Sequence, residues 1–118
     1  MKPAKLSTYT LTRGNTFKEI LRFTSAGEPI DLSQFSEIRM DIRDALNSTG
    51  NVLETVAIDS GISIDGNLLT ITIEASKTRQ WVPGNYYRDL VFVNAQNEVY
   101  TWAEGSIKVR DYITEVTG

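Results

Sequence analysis

The chain has neither histidine nor cysteine in its 118 residues, so any chemistry it performs falls to carboxylates, lysine or tyrosine. No Ser-His or Cys-His nucleophile pair can be assembled, no imidazole or thiolate can ligate a metal, and no side chain titrates unperturbed near neutrality. Paired carboxylates remain for general acid–base work. Asp41, Asp44, Asp59, Asp65, Asp89 and Asp111 are scattered over strands and turns, and no spacing along the chain holds two of them over one substrate. Asp59 and Asp65 flank "DSGISIDGN", which is not an EF-hand pattern; in turns, Asp commonly bonds its own backbone. Asp89 interrupts the apolar run "YYRDLVFVN", where an unpaired charge is costly. Its expected resolution is a partner such as Arg39 or Arg43, or exposure on a sheet face. "TRGNTF" opens no helix, and the chain has neither a Gly-rich phosphate loop nor a G-x-S-x-G elbow. The expectation is a non-enzyme without cofactor or metal site.

Aromatic side chains offer a different chemistry. From Gln80 the chain reads "QWVPGNYYRDLVF", and Trp81, Tyr86, Tyr87, Tyr100 and Trp102 could stack on sugar rings. The same stretch also fits an architectural corner. Pro83 fixes φ, Gly84 permits the turn to complete, and a Tyr opening the next strand can bury its ring while its hydroxyl bonds back to the corner. Trp81 would then plug the end of the core. The corner is the favoured reading, and a glycan site at Trp81, Tyr86, Tyr100 and Trp102 is the alternative.

The elements that would position these residues are strands. In "SEIRMDIRD" Ile38, Met40 and Ile42 alternate with charged residues, and in "NLLTITIEA" Leu69, Ile71 and Ile73 alternate with threonines. Period two puts one set on each face of a sheet. "YYRDLVFVN" places Tyr86, Leu90 and Phe92 on one face with Arg88 as a charged exception, and "GSIKVRDYI" closes with Ile107 and Val109. Turn-forming stretches separate them: "SAGEP", "NSTGN", "DSG", "DGN" and "NAQNE". Gly in "DG" marks a hairpin, and Gly14 a bulge or tight link. Only residues 75–81 suit a helical turn, with Ser76 as its cap and Val82-Pro83-Gly84 ending it. The pattern predicts a single all-β domain over 1–118, an immunoglobulin-like antiparallel β-sandwich of about seven to eight strands.

Composition sets further limits. At 41% hydrophobic and 23% charged the chain is globular in character, and its net charge of −3 argues against a nucleic-acid binder. No apolar run approaches membrane-spanning length, and "MKPAKLSTYTL" lacks the apolar core of a signal peptide. Synthesis in a cytoplasm is the default, so "NST" at 47–49 reads as a polar turn rather than a glycosylation site.

The order of these segments resembles a known group. "GNTFKEILRFT", then "GEPIDLS" with Asp31 and Leu32, the Arg-bearing "SEIRMDIRD", the Pro-Gly-Tyr corner running into Tyr-x-Asp-Leu, and a closing Gly-x-Ile-x-Val are similar to small immunoglobulin-like domains of tailed-bacteriophage virions. These include the N-terminal domain of baseplate upper proteins and related tail and head-fibre adaptors. The resemblance spans nearly the whole chain and transfers no catalytic residue. It implies a virion-located structural role: protein–protein assembly with other virion proteins and self-association; charge and hydropathy leave no nucleic-acid or membrane partner expected. Residues 1–8 and 111–118 are the candidate docking arms, the latter through Tyr112, Ile113 and Val116; either arm reads equally as an edge strand.

Overall fold

The computed structural model describes residues 4–114. Strands of four or more residues are β2 (Tyr9–Thr12), β3 (Phe17–Arg22), β6 (Phe35–Arg43), β7 (Val52–Ile58), β8 (Gly61–Asp65), β9 (Leu68–Ile73), β10 (Gly84–Asn94) and β11 (Val99–Arg110). Three two-residue pieces accompany them: β1 (Ala4–Lys5), β4 (Thr24–Ser25) and β5 (Glu28–Pro29). Four of the eight longer strands, β6, β9, β10 and β11, are those that alternation marks. The two-residue pieces are too short to show a period.

Nine strands form one sheet in the order β1-β11-β10-β6-β7-β8-β9-β3, with β2 also on β11, and this sheet curls into two layers; β4 and β5 pair only with each other. The chain changes layer between β7 and β8 through Asp59 and Ser60. There Ala57 faces Gly61 and Ile58 faces Ile62 in a brief parallel pairing. Gly61 is required at this crossing: its φ is +98°, and a Cβ would lie 2.6 Å from Val56 Cγ1. Most pairs are antiparallel, as alternation and short turns dictate. β1 and β2 instead run parallel to β11, which connects the first and last strands of the chain.

Residues that alternate in sequence alternate in burial. Ile38, Met40 and Ile42 of β6, Leu69 and Ile71 of β9, and Leu90 and Phe92 of β10 lie fully buried between the layers. Each such side chain contributes roughly 1.5–3 kcal/mol by leaving water. The "DG" hairpin joins β8 to β9 with Gly66 at φ +60°. In the β10–β11 turn the Asn94 carboxamide accepts from the N–H groups of Gln96 and Glu98.

Two local expectations need adjustment. The helical turn is present as α1 (Ala75–Thr78), but Ser76 lies inside it and Glu74 holds the cap position without a side-chain bond. Thr78 matters more, because its buried hydroxyl accepts from Gly14 N–H and donates to Asn15 O, fastening the β2–β3 link to α1. A second turn, a 3-10 turn over Leu32–Gln34, follows Asp31. That carboxylate accepts from Ser33 N–H and Ser33 Oγ, which holds its pKa below the usual carboxylate value.

Candidate interaction surfaces

The Pro-Gly corner answers the question its aromatics raise. Tyr86 opens the buried face of β10, and its hydroxyl donates to Val82 O at 2.6 Å, four residues back. Tyr86 is 8% exposed, and Trp81 is 4% exposed. Burial, with a contribution from the Asp44 charge, raises the phenol's pKa. The stretch is a tyrosine corner, and Trp81 and Tyr86 are core residues rather than a sugar platform.

Tyr100 and Trp102 belong elsewhere. Six residues separate Tyr86 from Phe92, the Cα partner of Tyr100, so Tyr86 and Tyr100 are about 20 Å apart along the strands. Leu90 pairs with Ala103 and Val91 with Thr101, leaving Trp102 as the extra residue of a β-bulge. The bulge turns its indole onto Phe92, stacked at 4.9 Å, with Phe35 edge-on at 5.1 Å. Tyr100 lies tilted at 6.4 Å from Trp102. The four proposed glycan contacts therefore do not converge.

On the outer face of the larger layer lies a grouping that sequence spacing conceals. Asp89 on β10 is directly opposite Asp41 on β6 and Glu104 on β11, so three carboxylates form a row across adjacent strands with Cβ atoms roughly 5 Å apart. A groove of about 590 Å³ runs over the row, flanked by Lys5, Leu6, Arg43, Leu46 and Tyr87. The expected partners of Asp89 go to its neighbour instead. Arg39 Nε and Arg43 Nη2 reach Asp41 at 3.3 and 3.0 Å, and Thr55 Oγ1 donates to it at 2.8 Å. Glu104 is paired with Lys5. No hydrogen bond or ion pair from a described side chain reaches Asp89, so the expected pairing is replaced by half-exposure on a sheet face. Burial and the charge of Asp41 raise the Asp89 pKa, Arg43 partly offsets them, and Glu104 adds to the rise. For Asp41, burial alone would raise the pKa; the bonds from Thr55, Arg39 and Arg43 and the charge of Arg39 together hold it below the usual value. One carboxyl held up beside another held down is an arrangement acid–base catalysts use. Here the surrounding cations are committed to Asp41 and Glu104, and no group of acidic side chains among the described residues is placed to hold a metal ion.

The inner face of the same strand carries the opposite arrangement. Arg88 crosses the core and forms a forked ion pair with Glu19 of β3, Nη1 to Oε1 and Nη2 to Oε2 at 3.0 Å. Its side chain is fully buried. This pair joins the two layers near the side where β2 and β3 leave the curl open.

The two ends of the sheet differ. Beside β11 the edge consists of β1 and β2, two short pieces separated by Leu6–Thr8. At the other end β3 pairs with β9 over six consecutive residues without a register shift, and no described strand lies on its far side. N–H and C=O of one residue point to the same side of a strand and alternate along it. Tyr9 donates its hydroxyl to Lys18 O at 3.2 Å from the neighbouring layer, which assigns the backbone groups of Lys18, Ile20 and Arg22 to the open edge. Their side chains are exposed, and Ile20 is 61% accessible.

The candidate arms are partly absorbed into the domain. Residues 4–6 lie on β11, and Leu6 N–H donates to Glu104 O at 2.8 Å. Gly105 permits this approach, since a Cβ there would meet Leu6 Cβ at 3.0 Å. Tyr112 folds back under Arg13, whose guanidinium carbon lies 4.3 Å from the ring centroid, while Arg13 Nε pairs with Asp111 at 3.0 Å. Ile113 is fully exposed, and Val116 lies outside the described residues.

No protein-family model matches the chain. No curated protein matches it in sequence. Among solved structures it is similar to CopC from Methylosinus trichosporium OB3b, with 15% identity, 92% of this chain and 89% of that one covered, and a TM-score of 0.48. It is also similar to fibronectin(III)-like modules of Clostridium thermocellum CbhA, at 10% identity, 94% and 92% coverage and a TM-score of 0.45. The V domain of amphioxus IgVJ-C2 is similar at 13% identity, 85% and 97% coverage and a TM-score of 0.30. Likeness at these identities concerns fold alone, and the strands of this chain themselves form an all-β, immunoglobulin-like domain.

Proposed function

We propose that the chain is a non-enzymatic structural module of a bacteriophage particle, acting in a baseplate, tail or head-fibre position by protein–protein assembly. The phage setting rests on the sequence resemblance, carried by "GEPIDLS", the Arg-bearing third strand and the Pro-Gly-Tyr corner. The observation that favours assembly is the β3 edge: six regular residues, no described strand along the far side and an exposed isoleucine. Monomeric proteins usually blunt such an edge with bulges, prolines, short strands or charged side chains, and of these the β3 edge carries only the charges of Lys18, Glu19 and Arg22. The opposite end of this sheet is blunted by short strands, β1 and β2. An edge left regular is a docking surface in waiting.

Quantitative mass spectrometry of purified particles released by cells that encode the chain tests this reading. The expected result is the chain in the particle fraction at a fixed ratio to a major structural protein, retained through a density gradient. Its absence from intact particles would sink the reading.

A further inference from the structure

We propose that the β3 edge binds an extended segment of a partner protein with the pattern acidic–neutral–apolar–neutral–acidic, added as a further strand. This rests on the assembly reading and names the chemistry of the partner.

The backbone groups presented at the edge belong to Lys18, Ile20 and Arg22; Lys18 O is already taken by the Tyr9 hydroxyl, and the three side chains all lie on the outer face. An added strand places one residue opposite each. Across from Ile20, whose one strand neighbour among the described residues is Thr70 of β9, an apolar residue covers exposed hydrophobic surface. Across from Lys18 and Arg22, directly opposed side chains at about 5 Å favour acids and disfavour bases. The two intervening residues point inward over Glu19 and Leu21, at the open side of the sandwich. Glu19 already holds the Arg88 guanidinium, so a neutral residue fits there and a second cation is not needed. Because the pattern reads the same in both directions, parallel and antiparallel addition are both served.

Charge also decides against a second copy of this chain. Antiparallel self-pairing centred on Ile20 sets Lys18 opposite Arg22 of the other copy, and parallel pairing sets lysine opposite lysine. Both juxtapose like charges. The cations that turn away an identical strand are the ones that select an acidic partner.

The test uses the full chain labelled with 15N and a capped peptide containing Glu-Thr-Ile-Thr-Glu. Saturable binding is expected, with slowed hydrogen exchange at the amides of Ile20 and Arg22 and weaker affinity at high salt. The Lys18→Glu/Arg22→Glu variant should bind this peptide roughly tenfold more weakly. It should instead prefer the peptide with lysines in place of the glutamates. The two substituted side chains are exposed, and the same spectra report whether the fold is kept. No binding by about 1 mM peptide, protection elsewhere on the sheet, or equal affinity for both peptides with either chain would each overturn the proposal. Those outcomes leave the particle measurement untouched, whereas peptide binding by a chain absent from particles would remove the phage setting and keep the edge.

Discussion

Arg88 and Asp89 are consecutive on β10, yet they face environments that treat charge in opposite ways. The inward residue is wholly buried and has a dedicated forked partner in Glu19. The outward one is half-exposed and lies between two acids, with no partner of its own among the described residues. Burial explains the asymmetry. A fully desolvated guanidinium without a carboxylate would cost several kcal/mol, so the core must supply one. A half-exposed carboxylate can lean on water, and the outer face can therefore carry an unfavourable row.

The comparison breaks most visibly at Arg88. Arg88→Ala leaves Glu19 facing the core opening without its cation, and the expected loss is about 3–5 kcal/mol in a denaturant melt. Arg88 Nε has no partner among the described residues, so the pair is incompletely satisfied. The Glu19→Leu/Arg88→Met double variant should accordingly return to within about 1 kcal/mol of the parent. A double variant as unstable as the single would show that the ion pair, rather than relief of an orphaned charge, holds the layers together.

Tyr86 lies two residues before Arg88 on the same inward face and tests whether that face demands satisfaction of every polar group. Tyr86→Phe keeps the ring and removes the bond to Val82 O. The expected cost is about 1 kcal/mol, and the Val82 carbonyl at the exposed corner can turn to water. A loss near 3 kcal/mol would mean the corner cannot rehydrate and that the hydroxyl fixes the β10 entry.

Distance along the chain decides how much of these faces is legible in the sequence. Alternation is a local property, so the faces of β6, β9 and β10 can be read directly, and the corner can be read because all its parts lie between Trp81 and Tyr86. Register is not local. Glu19 and Arg88 are 69 residues apart, and nothing near either one names the other. The Asp41–Asp89–Glu104 row exists only once β6 and β11 flank β10 in their observed registers. The expectation that Arg39 or Arg43 would serve Asp89 had the correct strand pair but missed Asp41, which lies between those arginines on β6 and takes both. The inward turn of Trp102 likewise depends on a bulge that period-two counting passes over.

The outward face gives the smallest effect and the clearest sign. Folding raises the Asp89 pKa through burial and the neighbouring acids, so the folded state holds this proton more tightly than the unfolded chain does. Its stabilising contribution is therefore fully present below the unfolded value and is lost as pH rises through the folded one. Asp41 runs the other way: its lowered pKa contributes stability above the unfolded value, lost as pH falls through the folded one. Replacing Asp89 with Asn imitates the protonated state at every pH. Asp89→Asn should thus be more stable than the parent near pH 7, by about 0.5 kcal/mol for one partly screened cross-strand repulsion. The gap should close as the pH is lowered towards 3, where the parent carboxyl is itself protonated, and should narrow with added salt at pH 7. Melting curves of both proteins from pH 3 to 8 measure this. A constant offset across that range would assign the gain to packing of the carboxamide, and a destabilised Asp89→Asn at pH 7 would mean that Arg43 serves Asp89 as well as Asp41, ending the contrast between the two faces of β10.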